Sequence, residues 1–168
     1  MIRIGWLLLV SLAGCTSAPP LRTLASSSPS FDALAFFSGR TEGEARLKIV
    51  ASRTKQVRVH GTGTIDPDGT LHLVQRVDQE GKPETTRIWT IHATRQGGYS
   101  GTLSDAGGPI LGDVTGNRLH LRFRLKSGLR ADQWLYLQPG GAVARNRMTV
   151  RKLGIVVARL DETIKRLP

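Results

Sequence analysis

Across residues 43–160 the chain alternates apolar and polar residues in short runs separated by glycine-rich turns. Ala45, Leu47 and Ile49 share one phase, with Arg46 and Lys48 on the other; Val57, Val59 and Gly61 continue the pattern against Arg58 and His60. A period of two points successive side chains to opposite faces, so each run predicts a half-buried β-strand. Asp66-Pro67-Asp68-Gly69 is a strong turn, because proline presets one turn angle and glycine supplies a positive one. Glu80-Gly81-Lys82-Pro83, Gln96-Gly97-Gly98, Asp105-Ala106-Gly107-Gly108, Gly116-Asn117 and Pro139-Gly140-Gly141 punctuate the rest. In the strand over residues 86–93, Trp89 and Ile91 are expected to face inward. The cleanest strand sets Leu119, Leu121, Phe123 and Leu125 against His120, Arg122, Arg124 and Lys126. A one-residue slip there would bury its charges, so its register is specified.

The sum is about nine or ten short strands at hairpin spacing, with no place for crossover helices, which predicts an antiparallel all-β meander. Closure would hide its edges. A closed barrel of roughly 8–10 strands leaves room for one small ligand; a filled β-sandwich is the structural alternative. Ahead of the strands, Ser30 or Asp32 is placed to cap a short helical turn. Phe31, Leu34 and Phe37 would share one face of that turn, either as a plug or lid on the barrel or as ordinary core packing. At the other end, the charged run Glu162-Thr163-Ile164-Lys165-Arg166 reads as a last helical turn.

The N-terminus carries a different pattern. Residues 1–15 read MIRIGWLLLVSLAGC: one basic residue, Arg3, then an apolar run, then small residues. The run is shorter than the ~20 residues that span a bilayer, and the order is that of an export signal. Leu12-Ala13-Gly14-Cys15 resembles the lipobox of bacterial lipoproteins. That resemblance implies cleavage before Cys15, diacylation of its sulfur and acylation of its nitrogen; the alternative is an ordinary secretory signal with an incidental cysteine. Residues 1–14 are thus expected to be a signal peptide, residues 15–30 an acylated cysteine with a proline- and serine-rich tether, and residues 31–168 a single β-barrel domain. Two or more acyl chains give stable anchoring. Thr16 in place of an aspartate after the cysteine implies, by analogy with Gram-negative lipoproteins, the inner leaflet of the outer membrane, facing the periplasm. Cys15 is the only cysteine.

Charge changes the picture of partners. The chain holds 24 Lys and Arg against 13 Asp and Glu, a formal net charge of +11. Such a surplus bears on partners rather than on fold. Export argues against nucleic acid and for an anionic envelope surface; a merely solvated basic composition is the bland alternative. Arg122, Arg124 and Lys126 form a basic ridge that either docks on such a surface or is the wet face of a half-buried strand.

The chain resembles the bacterial lipoprotein family catalogued as domain of unknown function 3833. The features that carry the likeness are Phe36-Phe37-Ser38-Gly39, Thr86-Arg87-Ile88-Trp89, Tyr99-Ser100-Gly101-Thr102 leading to Gly112-Asp113, and Gly116-Asn117 with Leu119. Asp132-Gln133-Trp134-Leu135-Tyr136-Leu137, Asn146-Arg147-Met148 and Lys152-Leu153-Gly154 complete the set. The resemblance implies a lipocalin-like (calycin-like) β-barrel of the Gram-negative envelope with no established activity.

Candidate site residues follow from the strands. Trp134 and Tyr136 lie on one side of theirs, Leu135 and Leu137 on the other. If the aromatic pair faces inward, it joins Trp89 as an apolar wall with polar tips for a ligand; the alternative is a core tryptophan beside a solvated tyrosine. Arg147 is expected either to latch onto Asp132 or Asp113 through bidentate hydrogen bonds or to meet a fatty-acid carboxylate or lipid phosphate. Asn146 is expected to satisfy a bulge or turn within that polar latch. His60, His72, His92 and His120 are scattered singly, without metal-ligand spacing, and there is no nucleophile elbow. No catalytic residue, metal or cofactor is assigned. The reading that results is a non-enzymatic outer-membrane lipoprotein that binds or handles a lipophilic ligand. Its rivals are an interaction protein with a filled barrel docking on anionic surfaces, and a lipid-modifying or isomerase-like enzyme.

Overall fold

The computed structural model describes residues 24–168; the expected signal peptide and Cys15 lie outside the described residues. A short helix, α1 (Ala33–Phe37), precedes ten strands: β1 (Gly39–Ile49), β2 (Lys55–Ile65), β3 (Leu71–Gln79), β4 (Thr85–Ala93), β5 (Tyr99–Leu103), β6 (Ile110–Thr115), β7 (Arg118–Arg124), β8 (Arg130–Leu137), β9 (Val143–Lys152) and β10 (Ile155–Arg166). Each strand pairs antiparallel with its neighbour in sequence, and β10 returns to β1 to close the barrel. Closure leaves no strand edge unpaired. The meander and its closure are as expected, and the sandwich alternative is set aside.

The end of the chain differs from the sequence reading. Residues 162–166 are not a helical turn but the end of β10, paired with β1 from Thr41↔Arg166 to Ala45↔Glu162. The reason is long-range: those residues gain two strand partners, β1 and β9, which an isolated turn would forgo.

One end of the barrel is stoppered. Asp32 caps α1, its carboxylate accepting the Ala35 N–H at 3.0 Å. Phe31, Phe36 and Phe37 are buried in the main core, with Phe36 and Phe37 edge to face at 4.9 Å. A Cβ at Gly63 would collide with the Phe37 carbonyl, so glycine there lets the plug sit on β2. The N-terminal segment is pinned at the same end by buried Asn117. Its Nδ2 donates to the carbonyls of Leu24 and Leu137, each at 2.9 Å, and its Oδ1 accepts the Ser26 N–H at 2.7 Å. The expected plug is therefore present, and Asn117 does more than make a turn.

The main core runs from this plug through Leu71, Leu73, Trp89, Ile91, Leu119, Leu121, Phe123, Leu135 and Ile164. A smaller cluster of Ala45, Val57 and Val77 lies toward the opposite end, where the hairpins between β1 and β2, β3 and β4, β7 and β8, and β9 and β10 form an open mouth. Packing is thus dense near the plug and thin near the mouth.

Candidate functional site

Between plug and mouth the barrel encloses a cavity of about 330 Å³. Its walls are mainly apolar: Phe37 at the floor, Trp89 and Phe123 edge to face at 5.7 Å, and Leu47, Ile49, Met148 and Leu160 toward the mouth. Ligand pockets are of this size or larger and combine apolar walls with a few placed polar groups.

Those polar groups come from residues that interrupt the apolar phase of their strands. Gln75 stands between Leu73 and Val77, Gln133 between Ala131 and Leu135, Asn146 between Ala144 and Met148, and Glu162 between Leu160 and Ile164. Arg87 occupies the inward phase two residues before Trp89. Alternation carries all of them inward with the apolar residues around them.

Glu162 and Asn146 face each other across β10 and β9, and Asn146 Nδ2 donates to Glu162 Oε2 at 2.6 Å. On the other side, β1 offers Gly43, where a Cβ would collide with Glu162 Oε1. Burial pushes the Glu162 carboxyl above its ordinary value, with the Asn146 hydrogen bond and the Arg87 charge opposing the shift. A neutral carboxyl inside an apolar chamber can donate a hydrogen bond as well as accept one. Two buried polar atoms of the wall, Gln79 Nε2 and Asn146 Oδ1, have no hydrogen-bond partner. Such orphans are costly unless something else meets them. Trp89 Nε1 donates to Gln75 Oε1 at 2.7 Å, and Arg87 pairs with Asp105 at 3.1 Å while lining the cavity.

The expected site residues divide. Trp89 lies on the cavity wall, as read from the sequence. Trp134 and Tyr136 do not: Leu135 and Leu137 take the inward phase and join the core, which sends the aromatic pair to the outer face. There Trp134 stacks on His120 with ring centroids 3.5 Å apart and 3° between planes, and Arg118 lies over the same indole at 5.0 Å. Tyr136 is buried on that outer side; burial raises its phenol, and the charges of Arg118 and Arg147 oppose the rise.

Arg147 also faces outward, so it does not line the cavity. It does not latch onto Asp113 or Asp132 either; its Nε meets Asp161 Oδ1 at 2.7 Å on the adjoining strand β10. Asp132 holds Arg151 at 2.8 Å, and Asp113 holds Arg122 at 3.0 Å, with His120 between the two carboxylates at 3.5 and 3.4 Å. Register explains this: Asp113, His120, Trp134, Arg147 and Asp161 stand successively opposite one another across β6 to β10. They form one belt on the outside. Asn146, expected in the latch, instead faces inward to Glu162.

Gln75, Gln79, Arg87, Gln133 and Glu162 are cavity residues that the sequence reading did not single out. Their signal was present as polar residues on an apolar phase. For Glu162 it is masked by the charged neighbours that make residues 162–166 resemble a tail. Among the described residues, no cluster of His, Cys, Asp or Glu is arranged to hold a metal ion.

Compared with known families, the sequence matches the one described as "Protein of unknown function (DUF3833)" over residues 9–166. The chain belongs to the DUF3833 family. No curated protein matches this DUF3833 chain. Among solved structures, the DUF3833 barrel is similar to an S-type phycobiliprotein lyase from Guillardia theta. The TM-score is 0.64 at 7% sequence identity, covering 80% of this chain and 90% of the lyase. At that identity the likeness establishes a shared lipocalin-like barrel for the DUF3833 protein and nothing about its chemistry.

Proposed function

We propose that this protein binds one lipophilic small molecule in its barrel, with the apolar body of the ligand against Trp89, Phe123 and Met148 and a hydrogen-bonding group of the ligand at Glu162 and Asn146. The observation that carries the reading is the convergence of polar side chains from β3, β4, β8, β9 and β10 on one apolar chamber, with Gln79 Nε2 and Asn146 Oδ1 left without partners. A barrel interior filled for stability alone gains nothing from such groups, since a half-satisfied buried network is worse than an apolar one. The ligand that fits has an apolar body and one carbonyl, hydroxyl or carboxylic group.

The reading includes an anchor. The lipobox-like Leu12-Ala13-Gly14-Cys15 and the proline-serine segment behind it support an exported lipoprotein, held by acyl chains on Cys15 at the outer membrane. The barrel would then stand beside a bilayer, the natural reservoir of lipophilic ligands.

The experiment is native mass spectrometry of the protein purified from an envelope fraction, followed by solvent extraction of whatever it carries. The expected result is a single class of lipophile at one per chain, retained in the neutral isostere Glu162→Gln and lost in Glu162→Ala and in Trp89→Ala. A wild-type chain that carries nothing, and whose Trp89 fluorescence is unmoved by titrated fatty acid or fatty alcohol, would overturn the reading. Anchoring is tested separately: Cys15→Ala is expected to abolish metabolic labelling by a palmitate analogue.

A further inference from the structure

Two hairpin tips stand together at the mouth. Residues 50–54 join β1 to β2, Leu153-Gly154 joins β9 to β10, and the Val50 N–H donates to the Val157 carbonyl at 2.9 Å. This brings Val50, Leu153 and Ile155 to one rim, with 64%, 94% and 72% of their surface exposed. Single exposed apolar residues are ordinary. These three are the most exposed large apolar residues among those described, and they share one rim.

The backbone adds an independent sign. Leu153 has φ +49 and Gly154 φ +85, so both central residues of the two-residue turn lie in the left-handed region. That is the hairpin turn that asparagine-glycine makes without strain, whereas leucine there crowds its Cβ against the backbone. Ala51, on the neighbouring tip, has φ +58. Leu153 is therefore unfavourable twice over, in its backbone and in its contact with water, and neither is offset by contacts with the barrel. Strain held at an exposed site points to use by something outside the chain.

Charge says what that partner is. Arg124, Arg130 and Arg151 stand directly opposite one another across β7, β8 and β9 near the mouth, and Lys48 stands opposite Arg159 across β1 and β10. Like charges in opposed positions destabilise a sheet. Among the acids at this end, Glu80 pairs with Arg53, Asp105 with Arg87 and Asp132 with Arg151, while Asp78, opposite Arg58, and Glu84 are exposed. An apolar tip ringed by opposed cations fits a surface that is apolar within and anionic at its boundary.

We propose that the mouth of the barrel docks on an anionic phospholipid bilayer, with Leu153, Ile155 and Val50 entering the boundary between headgroups and acyl chains. Ile49, next to Val50 in sequence, and Ala158, next to the Val157 that accepts the Val50 N–H, line the cavity, so docking joins the cavity's apolar wall to the bilayer. The docking stands whether or not the cavity holds a ligand.

Residues 24–168 contain the whole barrel and its plug with every strand edge paired, so this body is tested free of the acyl anchor. Co-sedimentation with phosphatidylglycerol-containing vesicles is expected at low salt, weakening at high salt and absent with phosphatidylcholine alone. Leu153→Asn is the deciding variant. It suits the turn, so its melting temperature is expected to equal or exceed the wild-type value while vesicle affinity falls about tenfold. Leu153→Asp is expected to lose more. Equal binding by wild type and Leu153→Asn, or no wild-type binding to anionic vesicles, would overturn the proposal. So would self-association of the wild type, seen by sedimentation velocity and abolished by Leu153→Asn, since it would give the tip to a second copy of this chain.

Discussion

Asn146 and Glu162 face each other across β9 and β10, joined by a hydrogen bond of 2.6 Å inside the barrel. A buried carboxyl held by a single amide is incompletely solvated, and burial accordingly shifts its proton equilibrium upward. Asn146 Oδ1 remains without a partner beside it. The pair is thus one of the polar points on a mainly apolar wall.

The pH dependence of stability follows from that shift. The folded carboxyl binds its proton more tightly than the unfolded one, whose ordinary value is 4.5. The stability this contributes is fully present below 4.5 and is lost as pH rises through the higher folded-state value. Glu162→Gln keeps the shape and removes the ionisation. Urea unfolding from about pH 4 to about pH 9 should therefore fall more steeply for the wild type than for the variant, which gains relative stability at the alkaline end. Parallel curves would show that Glu162 does not titrate differently in the folded state.

Gly43 and Glu162 share one space. Gly43→Ala is expected to cost about 1–3 kcal/mol, because the added Cβ displaces the Glu162 carboxyl. In a Glu162→Ala background the collision disappears, so a double-mutant cycle should return a coupling of about 0.5–3 kcal/mol. Additive costs would mean that the glycine is required for backbone reasons alone.

Trp89 combines apolar burial with a polar bond. Trp89→Ala is expected to cost about 3–5 kcal/mol through the cavity it opens beside Phe123. Trp89→Phe keeps most of the apolar contact but leaves Gln75 Oε1 without its 2.7 Å donor, at about 1–3 kcal/mol. Equilibrium denaturation separates the two; equal losses would place the energy in the hydrogen bond rather than in the packing.

The outer ion pair should matter little. Arg147 and Asp161 meet at 2.7 Å with side-chain exposures of 23% and 58%, so Asp161→Asn is expected to cost about 0.2–1 kcal/mol, and less at high salt. A loss well above this range in a thermal melt would show that the pair carries strain-bearing structure in β10.

Much of this fold is legible in the residues because a β-strand's period is local. Leu119, Leu121 and Phe123 against His120, Arg122 and Arg124 allow one register only, and turns such as Asp66-Pro67-Asp68-Gly69 announce themselves by composition. The inward placement of Trp89 follows in the same way. Alternation fails where both phases are apolar. In β8, Trp134 and Tyr136 compete with Leu135 and Leu137, and the choice falls to the neighbouring strands: His120 offers Trp134 a stacking partner outside, while Asn146 and Leu119 oppose Leu135 inside. Arg147 goes to Asp161 for the same reason, since cross-strand register decides which carboxylate it meets.

The sequence by itself determined the strand pattern and the turns, both set by neighbours within a few residues. Closure of β10 onto β1, from Thr41↔Arg166 onward, joins residues more than a hundred positions apart. Only that tertiary contact turned an apparent charged tail into the wall that carries Glu162, because a carboxyl acquires its environment from the strands on either side of it.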